Sequence, residues 1–142
     1  MKKTGILHRE LSDVIASLGH LDLIVISDAG LPVSHSARRV ELALAPDLPT
    51  VIQVLEILLQ EALFEKISFA EEQLSASPKF HERLKKMTGS IPLEALPHYD
   101  GFKPLAERAG VHIRTGDFTP YANLVLTAGW IGRSTQAGAG DA

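Results

Sequence analysis

His20 and Asp28 stand at the two ends of an apolar run in GHLDLIVISDAGLP, residues 19–32. A histidine titrates near neutrality and can give or take a proton at working pH. A carboxylate that follows the last residue of a buried strand lies where the carboxyl ends of parallel sheets carry ligands. The ordinary readings are a histidine satisfied by nearby backbone and an Asx-turn with the AGLP loop. For His20 the ordinary reading outweighs the chemical one; for Asp28 the two stand level. A third candidate is GDFTPYANLVL, where Tyr121 and Asn123 flank Ala122 at the entrance to a strand. Residues two apart on extended backbone point the same way, so phenol and amide would face one small polar ligand together. A hydroxyl on a flat apolar ring, beside an amide that both donates and accepts, suits a sugar. A loop tyrosine beside a turn asparagine is the commoner arrangement.

Other chemistries are excluded or unsupported. The chain has 142 residues and no cysteine, which removes disulfides, thiolate catalysis and cysteine–zinc sites. GxSxG, GxGxxG and the phosphate-loop pattern are absent. None of the six histidines pairs with another at the i, i+4 spacing of a helical metal site. A formal charge of −3 offers no electrostatic footprint for nucleic acid. The basic residues of KFHERLKK read as a solvated helix face, while Arg38-Arg39 beside Ser34, His35 and Ser36 fit an anion site and a plain surface loop equally well. The start, MKKTGILHREL, has no apolar segment behind its lysines, and runs such as LIVI are far too short to span a membrane. The expectation is a cytoplasmic, soluble protein.

The elements that must position these residues alternate. LHRELSDVIASLG repeats Leu11, Val14, Ile15 and Leu18 on one helical face, with Gly19 as its stop. Leu21 to Ser27 reads as a strand buried on both faces, and VELALA (40–45) as a second strand. Thr50 is placed to cap a helix through VIQVLEILLQEAL. FEKISFAEEQL fits a strand over 64–69 slightly better than a continued helix. Ser77-Pro78 opens a helix through KFHERLKKM, closed by Thr88-Gly89-Ser90. IPLEALP reads as a strand, GFKPLAERAG as a short helix, and VHIRTG and ANLVLTAG as the last two strands. The fold class is therefore α/β, one domain over 1–130 with a mostly parallel sheet and flanking helices. The glycine-rich tail, 131–142, is expected to be disordered.

Taken together, GHLDLIVISDAGLP, the QVL at 53–55, the AEE at 70–72, the histidine before Phe102-Lys103 and PYANLVLTAG resemble the D-ribose pyranase family, the sugar mutarotases that include fucose mutarotase. The resemblance covers residues 1 to about 130. It implies an enzyme that interconverts the pyranose and furanose rings of D-ribose, with no metal or cofactor, as a ring-shaped homo-oligomer, a decamer in characterised relatives. It implies His20 as the catalytic proton donor, Asp28 as a sugar-binding carboxylate, and Tyr121-Ala122-Asn123 as a late substrate-binding tripeptide. It further implies a substrate-binding histidine three residues before the phenylalanine of Phe-Lys. Here His98-Tyr99-Asp100-Gly101-Phe102 makes the spacing four, so either a residue is inserted after His98 or Tyr99 occupies the position. Pro97 before the histidine favours His98, and Lys103 is the matching lysine.

Ring opening removes the anomeric hydroxyl proton and supplies one to the ring oxygen, work for a histidine that titrates near neutrality. Eight extended steps of about 3.3 Å would separate His20 from Asp28 by roughly 26 Å, too far for one ribose. A shared site then requires two subunits or a much shorter strand. The alternatives are a fucose mutarotase or other aldose mutarotase, and a non-catalytic sugar-binding or regulatory protein that would tolerate loss of His20.

Overall fold

The computed structural model describes residues 1–133. Nine residues, Arg9–Ser17, form α1, capped by His8, whose Nδ1 accepts from the Leu11 N–H at 3.2 Å. Leu18 ends the helix in an extended conformation, so Gly19 is not the left-handed stop expected; its N–H goes to Asp22 Oδ2 at 2.7 Å. Leu21 then turns the chain at φ +72°. That turn shortens β1 to Leu23–Ser27, two residues less than the apolar run implied. The next strand, β2, is Arg38–Glu41 rather than 40–45, because Leu44 and Ala45 turn back to bond Leu48.

Helix α2, Val51–Glu61, starts at a capping box in which Thr50 and Gln53 each bond the other's backbone N–H. The ambiguous segment is a strand, β3, Phe64–Ala70, and a short helix, α3, Gln73–Ala76, follows it. Pro78 opens α4, Pro78–Thr88, and Gly89 at φ +56° closes it; Lys79, Arg83, Lys85 and Lys86 lie exposed, as a solvated face would. Strand β4 is Leu93–Leu96. The helix read as starting at Gly101 begins earlier, with a π-helical turn over His98–Phe102 that runs into α5, Lys103–Glu107. Strands β5, Val111–Arg114, and β6, Leu124–Ala128, complete the chain.

The six strands form one sheet in the order β2-β5-β1-β6-β3-β4. The pairs β2–β5, β5–β1 and β3–β4 are parallel, but β6 runs antiparallel to both β1 and β3. The sheet is therefore mixed, with its reversed strand in the middle. Helices α1, α2 and α4 cover one face through Leu11, Val14, Leu55, Leu58, Phe80 and Leu84, packed on Ile24, Ile26, Ile67 and Leu126. The π turn and α5 cover the other through Phe102, Leu105 and Ala106, against Val25, Leu31 and Val125.

This topology places the candidate residues. Reversing β6 brings the loop before it, which holds Tyr121 and Asn123, to the carboxyl ends of β1, β3 and β5. It sends Trp130, after β6, to the opposite end of the strands beside His20. The expected disorder of 131–142 concerns, from residue 134 onward, positions outside the described residues. No helix among the described residues is long and apolar enough to cross a membrane.

Candidate functional site

Asp28 follows β1 directly, and its carboxylate is held from two sides. Oδ1 accepts from the N–H groups of Gly30 and Leu31, both at 2.9 Å, so the Asx-turn is real. Oδ2 accepts from Asn123 Nδ2 at 3.2 Å, while Asn123 Oδ1 accepts the Asp28 N–H at 2.8 Å. One amide thus locks a residue 95 positions away by two bonds. The count of donors and acceptors leaves a lone pair on Oδ2 and one Asn123 N–H for a ligand. The structural and chemical readings of Asp28 are therefore compatible.

Beneath Asp28 runs a buried polar chain. Ser27 Oγ donates to the Asp28 carbonyl at 2.9 Å, and His112 Nε2 lies 2.7 Å from that hydroxyl oxygen. The serine's single proton is already used, so His112 must donate through Nε2. Burial, and then the charge of Arg39, push His112 down to about 4 from an ordinary 6.5, which leaves it neutral at physiological pH. Arg114 donates to the Ala29 carbonyl at 3.0 Å and to Glu41 at 2.7 Å, pinning the loop after Asp28.

Tyr121 and Asn123 do not share a strand face: Asn123 bonds Asp28, while Tyr121 meets His98. Tyr121 sits in the left-handed region at φ +56°, and β6 starts only at Leu124. The turn is held by side chains: Gln73 Nε2 donates to the Tyr121 carbonyl at 2.9 Å, and Ser77 Oγ to that of Pro120 at 2.6 Å. Ala122, between the two site residues, is wholly buried in the core.

His98 and Tyr121 meet edge to face, ring centroids 5.1 Å apart, and His98 stacks on Phe102 at 6.0 Å. Tyr99 is 72% exposed, with the Lys103 ammonium 5.2 Å over its ring. His98, not Tyr99, therefore faces the cluster. The extra residue is absorbed by the π turn, in which the Phe102 N–H reaches back five residues to the Pro97 carbonyl at 2.8 Å. Gly101 permits the wider turn, since a Cβ there would come within 3.0 Å of Leu96 Cβ. Glu72 receives the His98 N–H at 3.1 and 3.2 Å on its two oxygens. His98 Nδ1 is a buried polar atom with no hydrogen-bond partner. One cavity, of about 530 Å³, is lined by Asp28, Arg114, Phe118 and Thr119, and another, of about 380 Å³, by Leu31, His35, Lys103 and His112.

His20 is at the other end of β1. Its Nε2 lies 3.0 Å from Glu65 Oε2 at the start of β3, and its ring is 6.4 Å from Trp130. Within one chain it does not meet Asp28, and the shortening of β1 does not change that. The two arginines considered as an anion site are occupied elsewhere: Arg38 pairs with Asp13, and Arg39 with Glu41 at 3.1 Å. Among the described residues no group of three or more His, Asp or Glu is arranged to hold a metal. Sequence reasoning missed Glu65, Gln73 and the Ser27–His112 link; Glu72 stood within the AEE motif without a role.

A model of the RbsD / FucU transport protein family matches residues 1–131. The chain belongs to that family. Curated relatives include the D-ribose pyranase of Geobacillus kaustophilus, 41% identical over 91% of this chain and 94% of the relative. The D-ribose pyranase of Variovorax paradoxus is 44% identical over 91% of this chain and 98% of its own length. Bacillus subtilis RbsD, solved in complex with D-ribose, superposes with a TM-score of 0.88 at 40% identity, covering 93% of this chain and all of that one. The fucose mutarotase of Streptococcus pneumoniae, solved with L-fucose, shares the fold at a TM-score of 0.75 and 21% identity, covering 89% of this chain and 95% of that one.

Proposed function

We propose that this protein is a D-ribose pyranase, an intramolecular isomerase that interconverts the pyranose and furanose forms of D-ribose. One observation carries the reading: at the carboxyl end of the sheet Asp28 and Asn123 are locked together by two hydrogen bonds, and His98 and Tyr121 meet ring against ring, so polar and aromatic groups suited to a sugar are held in place by the fold. Relatives above 40% identity bear that name, and the fucose mutarotase is more distant. Ribose is the sugar this site takes.

In the reaction the anomeric hydroxyl gives its proton to water, and the O–H pair becomes the second bond of C1=O. The pair of the C1–ring-oxygen bond passes to that oxygen, which takes a proton. Closure through another hydroxyl reverses the steps, so the net chemistry is proton transfer without redox change. Asp28 Oδ2 and Asn123 Nδ2 hold sugar hydroxyls, Tyr121 and His98 bound the ring's apolar face, and His20 gives the proton to the ring oxygen. Because His20 and Asp28 lie at opposite ends of one strand, His20 comes from a second copy of the chain. Exposed Leu21, Trp130 and Ile131 around His20, and exposed Leu44, Leu48 and Phe118 near Asp28, support such a contact. Two different patches meeting head to tail form a ring where the rotation between copies closes.

The test is NMR saturation transfer between the pyranose and furanose anomeric protons of D-ribose, with and without catalytic amounts of protein. Transfer that rises with protein supports the pyranase. Binding of ribose without any acceleration of exchange, on ribose and on L-fucose, would favour a sugar-binding module instead. For the shared site, His20→Ala and Asp28→Ala chains are each inactive, and random mixing restores roughly a quarter of the sites. No recovery in a confirmed mixture would place both residues' work within one chain.

A further inference from the structure

We infer that Glu65 is the positioning residue of the proton donor, and that a backbone irregularity in β3 exists at this end of the sheet to aim it. This rests on His20 acting in the pyranase reaction. Phe64 faces Ala128 of β6 and Lys66 faces Thr127, so Glu65 is an extra residue on its strand. A bulge of this kind leaves one residue outside the ladder and re-aims its side chain, and such bulges concentrate beside active sites. Phe64 on one side is buried in the core, and Lys66 on the other pairs with Glu94 at 3.3 Å. Glu65, between them, meets His20 Nε2 at 3.0 Å.

The consequence is chemical. An ionised carboxylate only accepts, so Glu65 holds the Nε2 proton whether the imidazole is neutral or charged. Nδ1 is then the nitrogen that delivers the proton to the sugar. The Trp130 ring, tilted 34° to the imidazole, lies beside it at the same end of the strands. With Nε2 tethered to Glu65, Nδ1 is the ring nitrogen left for the substrate held by Asp28 of a second copy. A carboxylate fixing a histidine by its far nitrogen is the division of labour seen in hydrolase triads.

The test compares the full chain with Glu65→Ala, Glu65→Gln and His20→Ala, by ribose exchange kinetics and by long-range ¹H–¹⁵N spectra of the His20 ring. Glu65→Ala should lower kcat by about tenfold or more, within the effect of a positioned general acid, and leave KM unchanged. Glu65→Gln, which keeps an acceptor oxygen, should restore part of the rate. In the spectra the unaltered protein should show a slowly exchanging, downfield Nε2 proton that Glu65→Ala abolishes. His20→Ala without activity, beside Glu65→Ala with unaltered kcat and an unaltered ring spectrum, would overturn the role of Glu65 alone. Failure of the unaltered protein to accelerate ribose exchange would instead sink the pyranase reading, and the ring spectrum would still decide whether Glu65 fixes Nε2.

Discussion

The two ends of the sheet are built on different principles. At the carboxyl end, Asp28, Asn123, Tyr121 and His98 are tied by backbone and side-chain bonds from β1, α3 and the loop before β6, and each is at least partly buried. At the amino end His20 is exposed and has one carboxylate partner, itself 43% exposed on its side chain. A surface ion pair of this kind adds little to folding, whereas breaking a buried network leaves unpaired groups behind. On the proposed reading, binding geometry is thus part of the fold, and His20, the proposed acid, is an appendage that a neighbouring copy would enclose. Changes at one end should therefore cost stability and affinity together. Changes at the other should cost rate alone.

The sharpest way to break that contrast is His20→Ala. Ribose exchange should fall about 100- to 10,000-fold, the range for loss of a general acid. Chemical unfolding should shift by less than about 0.5 kcal/mol, as for a surface substitution. A large loss of stability would mean that the amino end is structural after all.

Next in size is the pH dependence of the carboxyl end. Its buried His112 is held near 4 when folded, against an ordinary 6.5. Above about 6.5 neither state binds this proton and the full stability is present. As pH falls from there towards 4 the unfolded chain takes up a proton that the folded chain refuses. This should remove about 3 kcal/mol of stability. Urea unfolding between pH 7 and 4 should show that slope, and His112→Gln should flatten it by most of that amount.

Asn123→Ala tests the same network without titration. It strips the Asp28 N–H of its acceptor and the carboxylate of a donor, at a cost of about 1–3 kcal/mol in stability. The KM for ribose should rise about tenfold in parallel, because the same amide would hold the sugar. Loss of affinity with unaltered stability would show that the Asp28–Asn123 lock is not what supports the fold.

How far the sequence announced this contrast depended on whether the signal was local. Thr50 and Gln53 are three residues apart, so their capping box could be anticipated, as could Pro78 at the first turn of α4. The position of Asp28 after an apolar strand was equally visible. The antiparallel course of β6 was not: LVLTA is buried throughout, and an evenly apolar strand carries no mark of its direction. The left-handed Tyr121 is imposed from outside by Gln73 and Ser77, which no alternation in PYAN could betray. The π turn was foreshadowed only as an extra residue, and the bulge at Glu65 not at all. His20 and Asp28 drew attention because one strand links them, yet the fold uses that strand to keep them apart.

The smallest effect decides the question the extra residue raised. With Tyr99 largely exposed and His98 packed between Phe102 and Tyr121, the site should not depend on the tyrosine hydroxyl or ring. Tyr99 does touch His98 edge to face at 4.9 Å, a contact that contributes about 0.5 kcal/mol or a little more between well-placed aromatic rings. Tyr99→Ala should therefore change the KM for ribose by no more than about two- to threefold, the equivalent of that contact. His98→Ala should raise it about tenfold or more by removing the ring that faces Tyr121. Titrations of both variants by ribose exchange separate the cases. A Tyr99→Ala loss as large as that of His98→Ala would mean that the π turn rearranges when sugar binds, and that the carboxyl end is less preformed than its hydrogen bonds imply.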